Sequence, residues 1–223
     1  MLAALAMVCI LLASPATAQK STYVTKAEHA ILMDADSGAV LFQKDADELT
    51  PPASMSKLMT LAVVFKALKE GVLKLSDEVT MSENAWRTGG APSGTSAMFV
   101  PINSKVTVEE LLQGIIVQSG NDACIALAEA LAGSESGFAR VLTNEARRIG
   151  LEKSTFRNST GLPAEGHLMT MRELAQLSRF LIKEYPDRFA LFAQKEFRYR
   201  KHRFFNRNKL LFLDIGADGM KTG

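Results

Sequence analysis

The chain has 223 residues, 47% hydrophobic and 22% charged, with a formal net charge of +2. This is globular composition with material for a sizeable core, enough for one large domain or two small ones. The near-neutral balance gives no argument for nucleic-acid binding.

Residues 1–18 read as an export signal. Leu2 to Ala13 is almost wholly apolar, and Ala16-Thr17-Ala18 is a small-x-small site that predicts cleavage before Gln19. The apolar run is too short to span a bilayer. It is irregular in one respect: no Lys or Arg precedes it. An export signal places the mature protein across the cytoplasmic membrane, with the periplasm as the expected compartment. Cys9 would leave with the signal, so Cys124 has no partner for an internal disulfide and is expected to be a buried structural thiol.

His29 to Asp34 and Ala39 to Lys44, split by Asp36-Ser37-Gly38, predict a β-hairpin. Met55 to Glu70 predicts a helix with Leu58, Leu61, Ala62, Phe65 and Leu68 on one face. Ser54 stands at its cap and Gly71 at its stop. Residues 72–106 read as irregular, with Ser82 as a local helix cap. Thr107-Val-Glu-Glu110 is a capping box opening a helix to about Gln118. Ser119-Gly120-Asn121 interrupts it, and a second helix runs to about Ala132. Phe138 to Ile149 predicts a third. After a loop over 158–167, Thr170-Met-Arg-Glu173 predicts another capping box and a helix to about Lys183. Glu196 to Tyr199 and Leu210 to Asp214 read as strands. The basic stretch Phe197 to Phe205 reads as a solvated strand or loop. This order predicts an α+β fold: an antiparallel sheet from both chain ends with a helical subdomain inserted between them. The chain stops at Gly223, straight after the strand-like Ile215 to Met220. Residues 19–223 are therefore expected to be a domain whose C-terminal part is missing.

Three short motifs carry chemistry. Ser54-Met-Ser-Lys57 puts a hydroxyl and an amine three residues apart, on one face of a helix. A serine is too weak an acid to attack unaided, so a base must touch it. A lysine serves only when burial or a nearby cation lowers its pKa. Ser119-Gly120-Asn121 offers a hydroxyl that can relay a proton and an amide that can hold a peptide group. Lys221-Thr222-Gly223 offers a cation and a hydroxyl for a carboxylate, and a glycine that admits close backbone approach. Ser82-Glu83-Asn84 and Arg87-Thr88-Gly89 imitate the last two motifs. They lie too near each other to form separate walls of one site.

In this order, S-x-x-K, S-x-N and K-T-G resemble the penicillin-recognising serine enzymes. The stretches Ala30–Gly38, Pro52–Thr60, Gln118–Ala123, Asn158–Leu162 and Asp218–Gly223 resemble the serine D-alanyl-D-alanine carboxypeptidases more closely. The resemblance implies a β-lactamase/transpeptidase-like fold. It implies Ser54 as nucleophile, Lys57 as base, Ser119 as proton relay to the leaving amine, and Asn121 on the substrate amide. Lys221, Thr222 and Gly223 would meet the terminal carboxylate and the substrate backbone. Peptidoglycan stem peptides would be substrates and β-lactams inhibitors. The family's second oxyanion donor would lie beyond Gly223, so low activity or stability is expected of the chain as written. Membrane association would come only through a missing C-terminal tail. No metal or other cofactor is implied: His29, His167 and His202 are scattered, and no glycine-rich phosphate loop occurs.

Three other readings compete. A β-lactamase needs a deacylating Glu in a pattern such as E-x-x-L-N, and Met169 stands where Glu165-Gly-His-Leu168 would need Asn. A D,D-endopeptidase shares the nucleophile and differs in product. A non-catalytic module would bind wall fragments or penicillin without turnover.

Overall fold

The computed structural model describes residues 23–223; the export signal expected at 1–18 lies outside them. Strands β1 (Ala30–Met33) and β2 (Val40–Lys44) pair antiparallel, as the two apolar runs split by Asp36-Ser37-Gly38 predict. Asp34 accepts from the Ser37 amide at 2.7 Å and the Ser37 hydroxyl at 2.5 Å, and Gly38 supplies the φ of +79° that closes the turn.

Helix α1 (Lys57–Lys69) is buried on more than the one face its pattern predicts, because it runs through the middle of the molecule. Helices α4 (Asn121–Ala132), α5 (Glu135–Arg148) and α6 (Met171–Glu184) all pack against it. Phe65 of α1 meets Tyr185 and Phe192 edge-on, at 5.8 and 6.5 Å between ring centres. Phe138, Leu142 and Ala146 turn inward from α5. Buried Glu145 ties α5 to α1 through Lys66 at 2.9 Å and also takes Arg148 at 2.5 Å.

Residues 72–106 hold more structure than expected. They contain β3 (Glu78–Thr80), α2 (Glu83–Gly89) and the start of β4 (Lys105–Thr107), which pairs with β3. These elements are too short to print a period in the sequence. Ser82 does cap α2, accepting from the Ala85 amide at 2.9 Å. Helix α3 (Val108–Gln113) starts in a complete capping box, Thr107 with Glu110. It continues as a single wider turn over Gly114–Gln118. Helix α5 begins at Glu135, ahead of the expected Phe138, because Ser134 caps it by accepting from the Gly137 amide. The box expected at Thr170 forms by half. Thr170 accepts from the Glu173 amide, but the Glu173 carboxylate takes the amides of Lys153 and Ser154, both at 2.7 Å.

The last part carries α7 (Pro186–Phe189) and the hairpin of β5 (Glu196–Tyr199) and β6 (His202–Phe205). Leu210 to Asp214 is not a strand. Residues Lys209–Phe212 form a tight helical turn, with Asn208 accepting from the Leu210 amide. Residues 217–223 run without a ladder partner among the described residues. The class is α+β. Its strands stand as three two-stranded antiparallel ladders, and the hairpins of the two chain ends are not bonded to each other among the described residues. No helix among the described residues is long and apolar enough to cross a membrane.

Candidate active site

Ser54 lies inside a tight turn, Ala53–Ser56, that runs directly into α1. It is therefore not the helix cap that its position predicts, and no side chain caps either segment. The turn is strained at its entry. Ala53 has a φ of +49°, a region that residues with a Cβ rarely occupy. The loop over 158–162 braces it. Gly161 (φ +81°) passes so close that a Cβ there would fall on the Ala53 carbonyl and stand 2.5 Å from Ser56 Oγ. Asn158 holds that loop by accepting from the amides of Thr160 and Gly161, at 3.1 and 2.7 Å.

Lys57 opens α1 and is completely buried. Its Nζ stands 3.1 Å from Ser54 Oγ and 2.5 Å from the Thr160 carbonyl oxygen. Burial pushes the Lys57 ammonium down from its ordinary value. The nearby Cys124 thiol opposes that shift and Arg207 adds to it. A neutral amine suits this setting. It can donate an N–H to Thr160 and offer its lone pair to the Ser54 hydroxyl.

Ser119 and Asn121 flank the start of α4, and they are 0% and 3% exposed. Ser119 takes a left-handed φ of +63°, which turns the chain between two helical segments. Ser119 Oγ and Asn121 Oδ1 are buried without a hydrogen-bond partner among the described residues. Each is free to bond a ligand. Asn121 Nδ2 donates to Thr95 Oγ1 at 2.9 Å.

Lys221 is largely buried, and burial lowers its pKa to about 7, helped by the charges of Lys57 and Arg207. That mutual influence places the third motif beside the first. Gly223 lies there too: a Cβ on it would meet Met55 Cγ at 3.0 Å and the Met55 amide nitrogen at 3.6 Å. Thr222 is half-buried, and its carbonyl accepts from Lys221 Nζ at 2.8 Å. Among the motif side chains, only Ser54 and Lys57 share a direct bond among the described residues. The imitations at 82–84 and 87–89 do other work. Ser82 and Asn84 bond Glu129, at 2.6 and 2.8 Å, and Gly89 packs α2 against the backbone of Asn121 and Asp122.

A family model described as D-alanyl-D-alanine carboxypeptidase, Peptidase S11, matches residues 15–223. The chain belongs to the Peptidase S11 family. Within it, D-alanyl-D-alanine carboxypeptidase DacC of Escherichia coli K12 is 46% identical over 86% of this chain and 49% of its own length. Its counterpart DacF of Bacillus subtilis is 37% identical over 89% of this chain and 51% of its own length. The chain thus spans about half the length of the curated relatives it matches. Penicillin-binding protein 5 of Haemophilus influenzae superposes with a TM-score of 0.88 at 35% identity, covering 92% of this chain and 59% of that one. Penicillin-binding protein D2 of Listeria monocytogenes, in an ampicillin-bound form, superposes with a TM-score of 0.77 at 26% identity, covering 88% and 79%.

Four groups at this candidate site escaped the sequence reading. The Thr160 carbonyl reaches Lys57 as a backbone atom, which no side-chain motif reports. Thr95 lies in the stretch that read as irregular. Arg207 lies just past the basic stretch and stands in no motif. Asp122 directly follows the S-x-N triplet and looks like an ordinary acidic residue of a first helical turn.

Proposed function

We propose that this chain carries the acyl-enzyme chemistry of a serine D,D-carboxypeptidase acting on peptidoglycan stem peptides. The observation that supports it most is the contact between a buried lysine with a lowered pKa and a serine hydroxyl, at 3.1 Å. Lys57 takes the proton of Ser54 as Oγ attacks the carbonyl between two D-alanines. The tetrahedral centre collapses, the C–N bond breaks, and the terminal D-alanine leaves as an amine. Its nitrogen takes a proton, relayed from Lys57 through Ser119. Water then attacks the acyl ester with Lys57 again as base, and Ser54 recovers its hydrogen as the acid departs. Asn121 holds the substrate amide through its free Oδ1. Lys221 and Thr222 receive the terminal carboxylate, and Gly223 lets the peptide lie close to the chain.

β-Lactams would acylate Ser54 because their ring amide stands in for the same peptide bond. The ampicillin-bound relative supports this reading. The reaction belongs outside the cytoplasmic membrane, with the periplasm as compartment. The test is release of D-alanine from an acyl-D-Ala-D-Ala peptide, compared with Ser54→Ala. Release by the native chain and none by the variant supports the proposal. Equal release overturns it.

A further inference from the structure

Asp122 has no assigned part in the expected reaction path, yet it is completely buried next to Asn121 in the chain. Its carboxylate sits in a ring of backbone amides. Oδ1 accepts from Met98 at 2.8 Å and from its own helix at Ala123 at 3.0 Å, and Oδ2 accepts from Val100 at 3.2 Å. Between the first and last of these donors stands Phe99, with a φ of +64°. Successive amides that converge across a left-handed residue form a nest for an anion. Here the anion is the protein's own side chain. Burial pushes the Asp122 carboxyl upward, and the amides of Met98, Val100, Ala123 and Phe99 oppose it.

The nest has consequences on both sides. The Asn121 amide donates to the Ser96 carbonyl at 2.7 Å, so the segment 95–100 is fastened alongside the S-x-N turn at several points. Thr95, at one end of the segment, bonds Asn121 Nδ2. That bond fixes the amide, whose buried Oδ1 is left without a partner among the described residues. Phe99, at the other end, is 38% exposed. Its ring lies 5.1 Å from His202 and 6.3 Å from Phe204 of β6. The next turn of chain leads from β6 to Arg207, whose charge reaches Lys57 and Lys221. A large aromatic residue held at φ near +60° is costly unless its surroundings impose it. Glycine spaces on both sides let the segment close down. A Cβ on Gly114 would strike Met98 Sδ, and one on Gly120 would stand 3.0 Å from Asp122 Oδ1.

We propose that Asp122 is the positioning residue of this site. Its carboxylate seats the segment 95–100, so that Thr95 orients Asn121 and Phe99 forms the aromatic wall against which the acyl donor lies. This rests on the reading of Ser54 as the acylated residue. Asp122→Asn keeps the size and one oxygen acceptor but turns an NH2 group toward amide donors.

The experiment measures fluorescent-penicillin acylation by the full chain as wild type, Asp122→Asn, Phe99→Ala and the double variant. Rate constants and labelling stoichiometry are recorded separately. The expected result is an acylation rate constant lowered by about 10–100-fold per labelled site in Asp122→Asn. In the double variant the losses of Asp122→Asn and Phe99→Ala would be less than multiplicative. A merely structural role predicts a smaller labelled fraction with an unchanged rate constant for the sites that label, and that result overturns the proposal. Should Asp122→Asn not fold, Thr95→Val tests the Asn121 arm alone, and a rate constant equal to wild type overturns the proposal. A wild-type chain that does not label at all is a failure of the Ser54 reading instead, and is distinguished by that control.

Discussion

The Ser54–Lys57 pair concentrates two opposing demands. Lys57 must be buried to lose its proton near neutral pH, and it must keep one polar neighbour on each side. The Thr160 carbonyl and Ser54 Oγ meet both needs. Acylation is therefore expected to fall as pH drops, once Lys57 begins to bind a proton and its lone pair is lost. Stopped-flow acylation between acidic and neutral pH checks this, and a flat profile would contradict it. Lys221 imposes a limit of opposite sign. It is charged below its value of about 7 and neutral above it. Capture of a carboxylate weakens as pH rises through that value, so kcat/KM for a carboxylate-terminated peptide declines on the alkaline side. A C-terminal amide analogue, which has no charge to lose, should lack that decline. The spacing of Ser54 and Lys57 put both on one helix face, and the family resemblance implied their roles as nucleophile and base. The Thr160 carbonyl was not predictable, since a backbone acceptor more than a hundred residues away leaves no mark on residue identity.

Elements show why similar patterns can have unlike outcomes. Thr107 with Glu110 and Thr170 with Glu173 read identically as capping boxes. In the first, both side chains close on the helix start. In the second, the carboxylate leaves the box for the amides of Lys153 and Ser154 and the Ser154 hydroxyl. A residue pattern carries no information about a loop arriving from elsewhere, so the tertiary partner was invisible in sequence. Glu173→Ala strands the buried Ser154 amide and hydroxyl and should cost about 2–4 kcal/mol, whereas Glu110→Ala should cost about 1 kcal/mol or less. Chemical denaturation of the two variants compares them directly, and equal losses would contradict the distinction. Gly161 is a second test at this scale. Alanine there is opposed by the positive φ and by the Ala53 carbonyl at once. Gly161→Ala should cost about 3 kcal/mol or more. It should also slow acylation of whatever fraction folds, because the displaced turn carries Ser54.

For the molecule as a whole, the long periodic helices could be read from the sequence because they bury apolar faces around α1, and the first hairpin because Asp36-Ser37-Gly38 splits two short apolar runs. The short elements within 72–106 and the turn at 209–212 could not. Their conformations are set by neighbours and single caps such as Ser82 and Asn208. The assembled site also carries a stability cost. Two lysines, Lys57 and Lys221, are withdrawn from water close enough to repel each other. A lysine with a depressed folded pKa leaves the unfolded chain binding more protons between about 7 and its ordinary value of 10.5, so stability rises with pH across that window. Lys221→Met removes the cost. It should raise Tm at neutral pH by roughly 2–4 °C, the equivalent of about 1 kcal/mol at this size, with the gain shrinking as pH rises toward 10.5. Carboxylate capture would be lost in exchange.

The most direct test of the account is covalent labelling with a fluorescent penicillin, run on the native chain beside Ser54→Ala and resolved on a denaturing gel. The account predicts a labelled band in the native chain and none in Ser54→Ala. A folded native chain that takes no label, or a variant that labels as well as the native chain, would contradict it.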